Sequence, residues 1–388
     1  MKNKIVVMVV TFIVMILLTP VIFGKLMNSK FNTMILNLQQ EKGIKIKEIE
    51  DKSSYLITDR IFEVTVPGSA VKDSGIKYIK LLTEVKFKNL PVTNVKFLNT
   101  IKKIVLINNK AIPLINNKIK VLVMTPDFKV YKYKVFDNSI DLKNRKILLS
   151  WKNFNGVYDE KTKTFKNANG LIEFKNALNN LKIYNIKTFL QNMDNKKIQQ
   201  IHFDVSFSNK KLKIKINNFN LDSRINILNN NINLNSTSKC DEINVNNIIK
   251  ITQINSDFEI NGIDKKIYEK LQNKKYTQQD INELLKKGFN GKLNLNIKDI
   301  FFIQNLGFVN LKSQFTIKNA SIEKINSNDL SFLDLNISLE TSPKLVNIVA
   351  NFFRPIKQIA VVKNNKAIIN IKINKGKISI NDQQIKSN

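Results

Sequence analysis

From Ile44 to the end of the chain, apolar side chains recur at every second position, and this period restricts the fold more than any other property of the sequence. Successive side chains of a strand point to opposite faces, so the alternation describes strands with one apolar and one polar face. Ile44 and Ile46 alternate with Lys45 and Lys47, and Thr83, Val85 and Phe87 with Glu84, Lys86 and Lys88. Ile201, Phe203, Val205 and Phe207 oppose His202, Asp204, Ser206 and Ser208. Leu212, Ile214 and Ile216 follow Asn209-Lys210, which predicts a hairpin with one buried and one wet face. Ile225/Ile227 and Ile232/Leu234 read as a second pair. Leu293 to Ile297, Val309 to Ile317, Leu333 to Leu339, and Ile369 to Ile373 with Ile378/Ile380 repeat the pattern. The fold expected is mainly antiparallel β with a few helices, as one elongated unit or as two with a boundary near 240–265.

Tight turns need residues that tolerate the left-handed backbone. With only 11 glycines, asparagine takes that place, as at Asn108-Asn109 and Asn116-Asn117. Two stretches resist the period: Leu178 to Met193 fits helix or strand, and Val245 to Ile263 is less regular. Four helices are expected. Lys25 to Lys42 places Phe31, Met34, Ile35 and Leu38 on one face before Gly43, either as a stalk or as a helix packed on the body. Lys265 to Gln272 forms a short one. Thr277 with Asp280 is a capping box opening a helix with Ile281, Leu284 and Leu285 inward and Gly288 at its end. Ser342-Pro343 opens the last, with Leu345, Ile348, Val349 and Phe352 inward and Pro355 just past it.

Ahead of the body, Ile5 to Phe23 carries no charged side chain. At about 1.5 Å per residue it reaches roughly 28 Å, close to the ~30 Å of a bilayer's hydrocarbon core. The run is longer than the apolar region of a cleaved signal peptide, and Val21-Ile22-Phe23-Gly24-Lys25 offers no small-x-small cleavage site. An uncleaved signal anchor at 5–23 is expected, with 1–4 as a cytoplasmic tail, 24–43 as a helical stalk and 44–388 as the exported body. Lys2 and Lys4 favour the N-terminus inside, which puts the body in the periplasm of a double-membraned bacterium.

Composition bounds the chemistry. The 388 residues are 43% hydrophobic and 24% charged, as in folded chains. Lys and Arg outnumber Asp and Glu by 63 to 31, but only Arg60, Arg145, Arg224 and Arg354 are arginines. Arginine is the commonest bidentate reader of guanine, so specific nucleic-acid binding is disfavoured. The lysines read as solvated faces with nonspecific attraction to anionic headgroups. Cys240 is the single cysteine, which excludes an intrachain disulfide.

The order of elements resembles the YdgA-like family of bacterial envelope proteins, a family of uncharacterised function. The resemblance lies in the N-terminal anchor running into a helix and then β-structure, in Leu284-Leu285 and Gly288 leading into Leu293-Asn294-Leu295, and in the ending Ile369 to Asn381 with its Lys375-Gly376 turn. It spans most of the chain. Asp382 stands where the family commonly has glycine, and Asn89-Leu90-Pro91 where it has His-Gly-Pro. The resemblance implies an inner-membrane anchor and an exported body, and it carries over no catalytic residues.

Candidate catalytic groups are sparse. His202, the only histidine, shares a strand face with Asp204 and Ser206, a pattern that reads as a wet strand face rather than a triad. One histidine and one cysteine disfavour zinc, the carboxylates lack calcium-loop spacing, and a glycine-rich phosphate loop is absent, so no cofactor is expected. Tyr131 and Tyr133 lie among Lys129, Lys132 and Lys134, an interleaving that suits single-stranded nucleic acid or, more simply, a β surface pair. Trp151 reads as core or a sheet-edge anchor. The expectation is a non-enzymatic envelope protein whose partners are inner-membrane lipid and an envelope lipid or protein. The alternative is a hydrolase acting on an envelope polymer through scattered carboxylates. The apolar strand faces leave two outcomes: sheets folded on each other, the common two-layer solution, or a groove filled by lipid or a partner. The candidate groove is Phe203, Val205, Phe207, Leu311, Phe315, Leu335 and Ile337.

Overall fold

The computed structural model describes residues 2–70, 75–91, 94–111, 119–142, 147–272, 275–327 and 329–385, without the side chains of 2–18, 41–42 and 140–142. The expected turn at Asn116-Asn117 lies outside the described residues. The chain is mainly β, 62% strand and 18% helix, as the alternation predicts. It forms two compact units, Met1–Ala177 and Leu178–Asn388.

The first unit starts with helix α1 (Lys2–Lys42), closed by Gly43 at φ 61°. Among the described residues nine strands follow: β1 (Lys45–Asp51), β2 (Ile57–Pro67), β3 (Ile76–Lys88), β4 (Val95–Leu106), β5 (Lys120–Thr125), β6 (Val130–Val135), β7 (Asn138–Leu142), β8 (Ile147–Asp159) and β9 (Thr164–Lys175). Each of β1 to β5 pairs antiparallel with the next strand, β6 pairs with β8, and β8 also pairs with β7 and β9. Residues 25–42 continue α1 and pack on the strands of this unit. The face built from i, i+3, i+4 and i+7 spacing lies on the sheet: Met27 and Phe31 are buried against Phe62, Val85, Phe87, Val95 and Phe97, with Met34 and Ile35 beside them. Phe31 meets Phe62 edge-on at 5.5 Å between ring centroids, and the Arg60 guanidinium lies 5.7 Å from the Phe31 ring.

Where the helix enters this packing, Asn89 is buried and serves a polar node. Thr58 Oγ1 donates to Asn89 Oδ1 at 3.0 Å, and Asn89 Nδ2 donates to the carbonyl of Tyr55 at 3.1 Å. A Cβ on Gly24 would come within 2.9 Å of Asn89 Cγ, so glycine lets α1 approach the node.

In the second unit, eight long strands pair antiparallel, each with the next: β10 (Asn180–Met193), β11 (Lys196–Ser208), β12 (Lys213–Leu228), β13 (Asn231–Val245), β14 (Ile249–Asp264), β15 (Phe289–Phe302), β16 (Gln304–Ile317) and β17 (Leu333–Thr341). Residues 240–265 therefore belong mostly to β13 and β14, inside this ladder. Between β14 and β15 lie α2 (Lys265–Gln272) and α3 (Gln278–Lys287), between β16 and β17 lies α4 (Ile322–Asn326), and after β17 come α5 (Pro343–Val349) and α6 (Pro355–Ile359). Pro355 thus opens a further short helix rather than only ending the preceding one. The chain closes with β18 (Val361–Lys363), β19 (Lys366–Asn374), β20 (Lys377–Ile380) and β21 (Gln383–Gln384), where β19 pairs with β17, β18 and β20.

Asparagine does take the turns. Asn229-Asn230 joins β12 to β13 and Asn364-Asn365 joins β18 to β19, all four at positive φ, the two-residue hairpin geometry that suits twisted strands. The capping box of α3 is present: Thr277 Oγ1 accepts from the Asp280 backbone N–H, and the Asp280 side chain accepts from the Thr277 backbone N–H.

Candidate functional site

Directly paired residues of a ladder share a face. By that rule the register carries one apolar face through the second unit. Leu339, Leu311, Leu295, Ser256, Ser238, Leu221 and Ile201 form one row across seven strands. Leu335 stands opposite Phe315 and Ile373, and Ile337 opposite Ser313 and Ile371. Phe203 faces Phe219 with ring centroids 4.8 Å apart, Val205 faces Ile216, and Phe207 faces Ile214. All seven residues of the expected groove therefore lie on a common face.

A change of sequence parity would break this face without a compensating backbone feature. On β12 the apolar positions shift from even, Ile214 and Ile216, to odd, Phe219 and Leu221. Asn218, at φ 55°, sits at the shift, and the pairing with β11 slips by one residue there. Phe219 and Ile216 thereby stand opposite Phe203 and Val205, two residues apart on one strand. Asn185 on β10 and Gln253 on β14 are likewise left-handed where the parity of their strands changes. Asp204 braces the line: it accepts from Asn185 Nδ2 and from the Asn218 backbone N–H, each at 2.5 Å.

This face is not a closed core. Its members, including Leu293, Leu295, Leu311, Phe315, Leu335, Ile337, Ile371 and Ile373, are half-buried, while the alternate positions Asn294, Asn296, Lys312, Gln314 and Asn336 are exposed. Among the described residues the strands of this unit form one ladder, in which these side chains remain half-buried. Burial is concentrated at the ladder's ends. At one end α2 and α3 bury Ile267 and Leu285 near Ile232 and Ala320; at the other α5 buries Val346 and Ala350 near Leu306, Ala367 and Ile369. Salt bridges pin the first end: Lys287 to Asp264 at 2.8 Å and Lys270 to Asp280 at 2.5 Å. Lys270 holds the Asp280 carboxyl down to about 2, and Asp264 with Glu283 pushes the Lys287 ammonium up to about 12. A space of about 310 Å3 lies on the polar face of the same strands, at Gln314, Thr316, Asp334, Asn336, Lys372 and Asn374. Gly291 gives Phe315 its seat, since a Cβ there would lie 2.6 Å from the ring.

The first unit holds a second apolar space, which periodicity alone did not single out. A cavity of about 280 Å3 lies between α1 and the strands, lined by Phe31, Met34, Ile35 and Leu38 and by Phe62 and Val64 among others. Its polar side chains include Thr83 and Asn99, which hydrogen-bond each other at 2.8 Å. An apolar cavity of about 150 Å3 is enough to admit benzene. Met34, Leu38 and Tyr131 also border a more polar space of about 800 Å3 that holds Lys30, Thr33, Lys129 and Glu160. The signal was the apolar face at Phe31 to Leu38, whose partner strands the sequence did not identify.

The remaining candidates are placed as follows. Tyr131 donates to the Phe128 carbonyl at 2.8 Å, and burial pushes its phenol up to about 12. Tyr133 stacks on Phe165 at 5.2 Å and donates to Asn167 Oδ1. Trp151, on β8, donates from Nε1 to the Phe136 carbonyl at 3.0 Å. His202 Nδ1 lies 2.9 Å from Asn220 Oδ1, while Asp204 is engaged with the asparagines above. Cys240 is buried, its thiol pushed up by burial.

Comparison with protein-family models, with curated proteins and with solved structures returned no match for this chain. Among the described residues no helix is long and apolar enough to cross a membrane, and residues 5–18 of the expected anchor lie outside the side chains described.

Proposed function

We propose that this chain is a non-enzymatic envelope protein of the YdgA-like kind, anchored in the bacterial inner membrane by residues 5–23, that holds lipid acyl chains on the apolar face of its exported sheet. The observation that carries the reading is the half-buried face through Ile201, Leu221, Leu295, Leu311 and Leu339, interrupted only by the small side chains of Ser238 and Ser256 in that row, with helices at its strand ends. Contiguous apolar patches beyond a few hundred Å2 are uncommon on soluble monomers. Acyl chains match such a face because they ask for no hydrogen bonds, and the apolar cavity under α1 supports the same ligand class.

The test is lipid analysis of the full chain, purified and exchanged out of detergent. Acyl lipid is expected to stay bound, and Phe315→Asp or Leu335→Asp is expected to lower it severalfold with unchanged circular dichroism. Lipid-free protein, or variants that simply unfold, would remove the groove. Protease added to spheroplasts is expected to digest the body, and N-terminal sequencing to find Lys2 or Met1 retained. A mature N-terminus near residue 25 would remove the anchor and leave the groove untouched.

A further inference from the structure

The second unit's two ends differ. The register places the starts of β10, β12, β14 and β16 and the ends of β11, β13, β15 and β17 together at one of them. At this end the links present large apolar side chains to solvent: Leu178, Ile248, Phe302 and Ile303, with Phe352 and Phe353 in the α5–α6 segment that packs there against β16 and β19. Ile303 is 91% exposed and Phe352 89%. Residues 178–179, 209–212, 246–248, 303, 342–360 and 364–365 contain no Asp or Glu, yet they hold Lys210, Lys211, Lys344, Arg354 and Lys357. The opposite end mixes charges in its links, where Asp194, Glu269, Asp280, Glu283, Glu323 and Asp329 stand among lysines that include Lys265, Lys266, Lys270, Lys286, Lys287, Lys318 and Lys324.

Ile303 is the decisive residue. It is the whole link between β15 and β16, and its φ is 64°. Of 18 described non-glycine residues at positive φ, 12 are asparagine, which accepts that backbone locally. A β-branched side chain at positive φ is a true outlier and is strained. Neither packing nor backbone preference accounts for an isoleucine projecting from that tip.

We infer that this end of the second unit docks on an anionic lipid surface, with Ile303, Phe302 and Phe352 entering the interface and the surrounding lysines and arginine meeting headgroups. Apolar tips ringed by basic residues are the chemistry of interfacial membrane binding. A protein groove would supply apolar contact but gives no reason for links free of carboxylates. The site deepens the lipid-handling reading and rests on it for purpose: Phe302 pairs with Ile249 at this end, and the row from Ile300 through Ile251, Ile243 and Ile216 to Val205 starts one step inward. A chain leaving the bilayer at the tip would meet the apolar face directly.

The experiment places an environment-sensitive dye on Ile303→Cys in the full chain held in nanodiscs, with Leu228→Cys, exposed at the opposite end, as control. Buried Cys240 leaves the introduced thiol as the reactive one. Vesicles of phosphatidylglycerol and phosphatidylcholine are then added. A blue shift at 303 and none at 228 is the expected result. If the shift precedes vesicle addition, the surface is the anchoring bilayer itself; if it follows, it is a second membrane. Removing an apolar side chain's burial weakens binding at least tenfold, so Ile303→Asp is expected to reduce vesicle capture about that much. Equal shifts at both positions, or none at 303, would overturn the docking site. Loss of nanodisc incorporation would instead fault the anchor, and a vesicle-dependent shift in the unincorporated chain would still report docking.

Discussion

Replacing Phe31 by alanine tests whether α1 is a structural part of the first unit or only a tether. Phe31 is 2% exposed and packs on Phe62 and Phe97, with Arg60 over its ring. A buried phenylalanine hides about 200 Å2. At about 25 cal/mol/Å2 the ring contributes about 4 kcal/mol net of the methyl that alanine keeps. The adjoining cavity of about 280 Å3 opens outward, so the enlarged space can take water or shift its walls. That places the loss near the lower bound of core Phe→Ala changes, about 3 kcal/mol. With a urea m-value of about 2 kcal/mol/M, the midpoint falls by about 1.5 M. Trp151, the only tryptophan, lies in the first unit and Cys240, the only cysteine, in the second. Tryptophan fluorescence and thiol accessibility in one titration therefore read the two units separately. The Trp151 transition is expected to move while that of Cys240 stays. Leu36, 54% exposed on the same helix, is the control, and Leu36→Ala is expected to change stability by less than about 0.5 kcal/mol. If Phe31→Ala shifts the Trp151 midpoint no more than Leu36→Ala does, α1 is not packed as described.

Gly291→Ala would bring a methyl to 2.6 Å from the Phe315 ring and 2.7 Å from the Glu259 carbonyl oxygen; overpacking of this kind costs about 1–3 kcal/mol, read from the urea midpoint of circular dichroism. Lys270 holds the Asp280 carboxyl down to about 2, below the ordinary unfolded value of about 3.9, so its contribution is present above about pH 4 and lost as pH falls toward 2. Asp280→Asn should therefore flatten the stability loss between pH 4 and 2, and an unchanged slope would exclude the Lys270 pairing. Burial raises the Cys240 thiol, so a disulfide reagent should react slowly with native protein and at once in strong urea; rapid native labelling would contradict the packing at Asn217 and Glu242.

Strands announced themselves wherever the two-residue period ran unbroken, as at Ile201 to Phe207 and Leu333 to Leu339. The two stretches that resisted the period are now explained by single left-handed residues. In 178–193, Leu181 and Ile183 are odd while Thr188 and Leu190 are even, because Asn185 inserts a bulge; the mixed spacing then resembles a helix. In 245–263, Gln253 at φ 49° separates Ile249 and Ile251 from Ile254 and Phe258. Helices α4 and α6 are five residues each, too short for a 3.6-residue period to register. That Phe203, Val205, Phe207, Leu311, Phe315, Leu335 and Ile337 share a face was legible because parity also assigns faces. That the face stays half-covered was not, since the number of layers depends on partners chosen across the fold. The cavity under α1 escaped for the same reason: Phe31 and Phe62 are 31 positions apart, and only the folded chain makes them neighbours.

The pairing of β10 through β17, each strand with its successor, has a consequence for how this protein changes over time. Such a ladder is nearly one-dimensional: each hairpin leans on the one before and the one after, and its stability is a sum over neighbours. A hairpin could be duplicated or lost in the middle with little disturbance elsewhere, provided that its turn and its parity match. The hairpin of β14 and β15 is exchanged less freely, because its link carries α2 and α3, which bury Ile267 and Leu285 at the strand ends. Lineages of this architecture should therefore vary in length by whole hairpins, each one widening the apolar face by two strands.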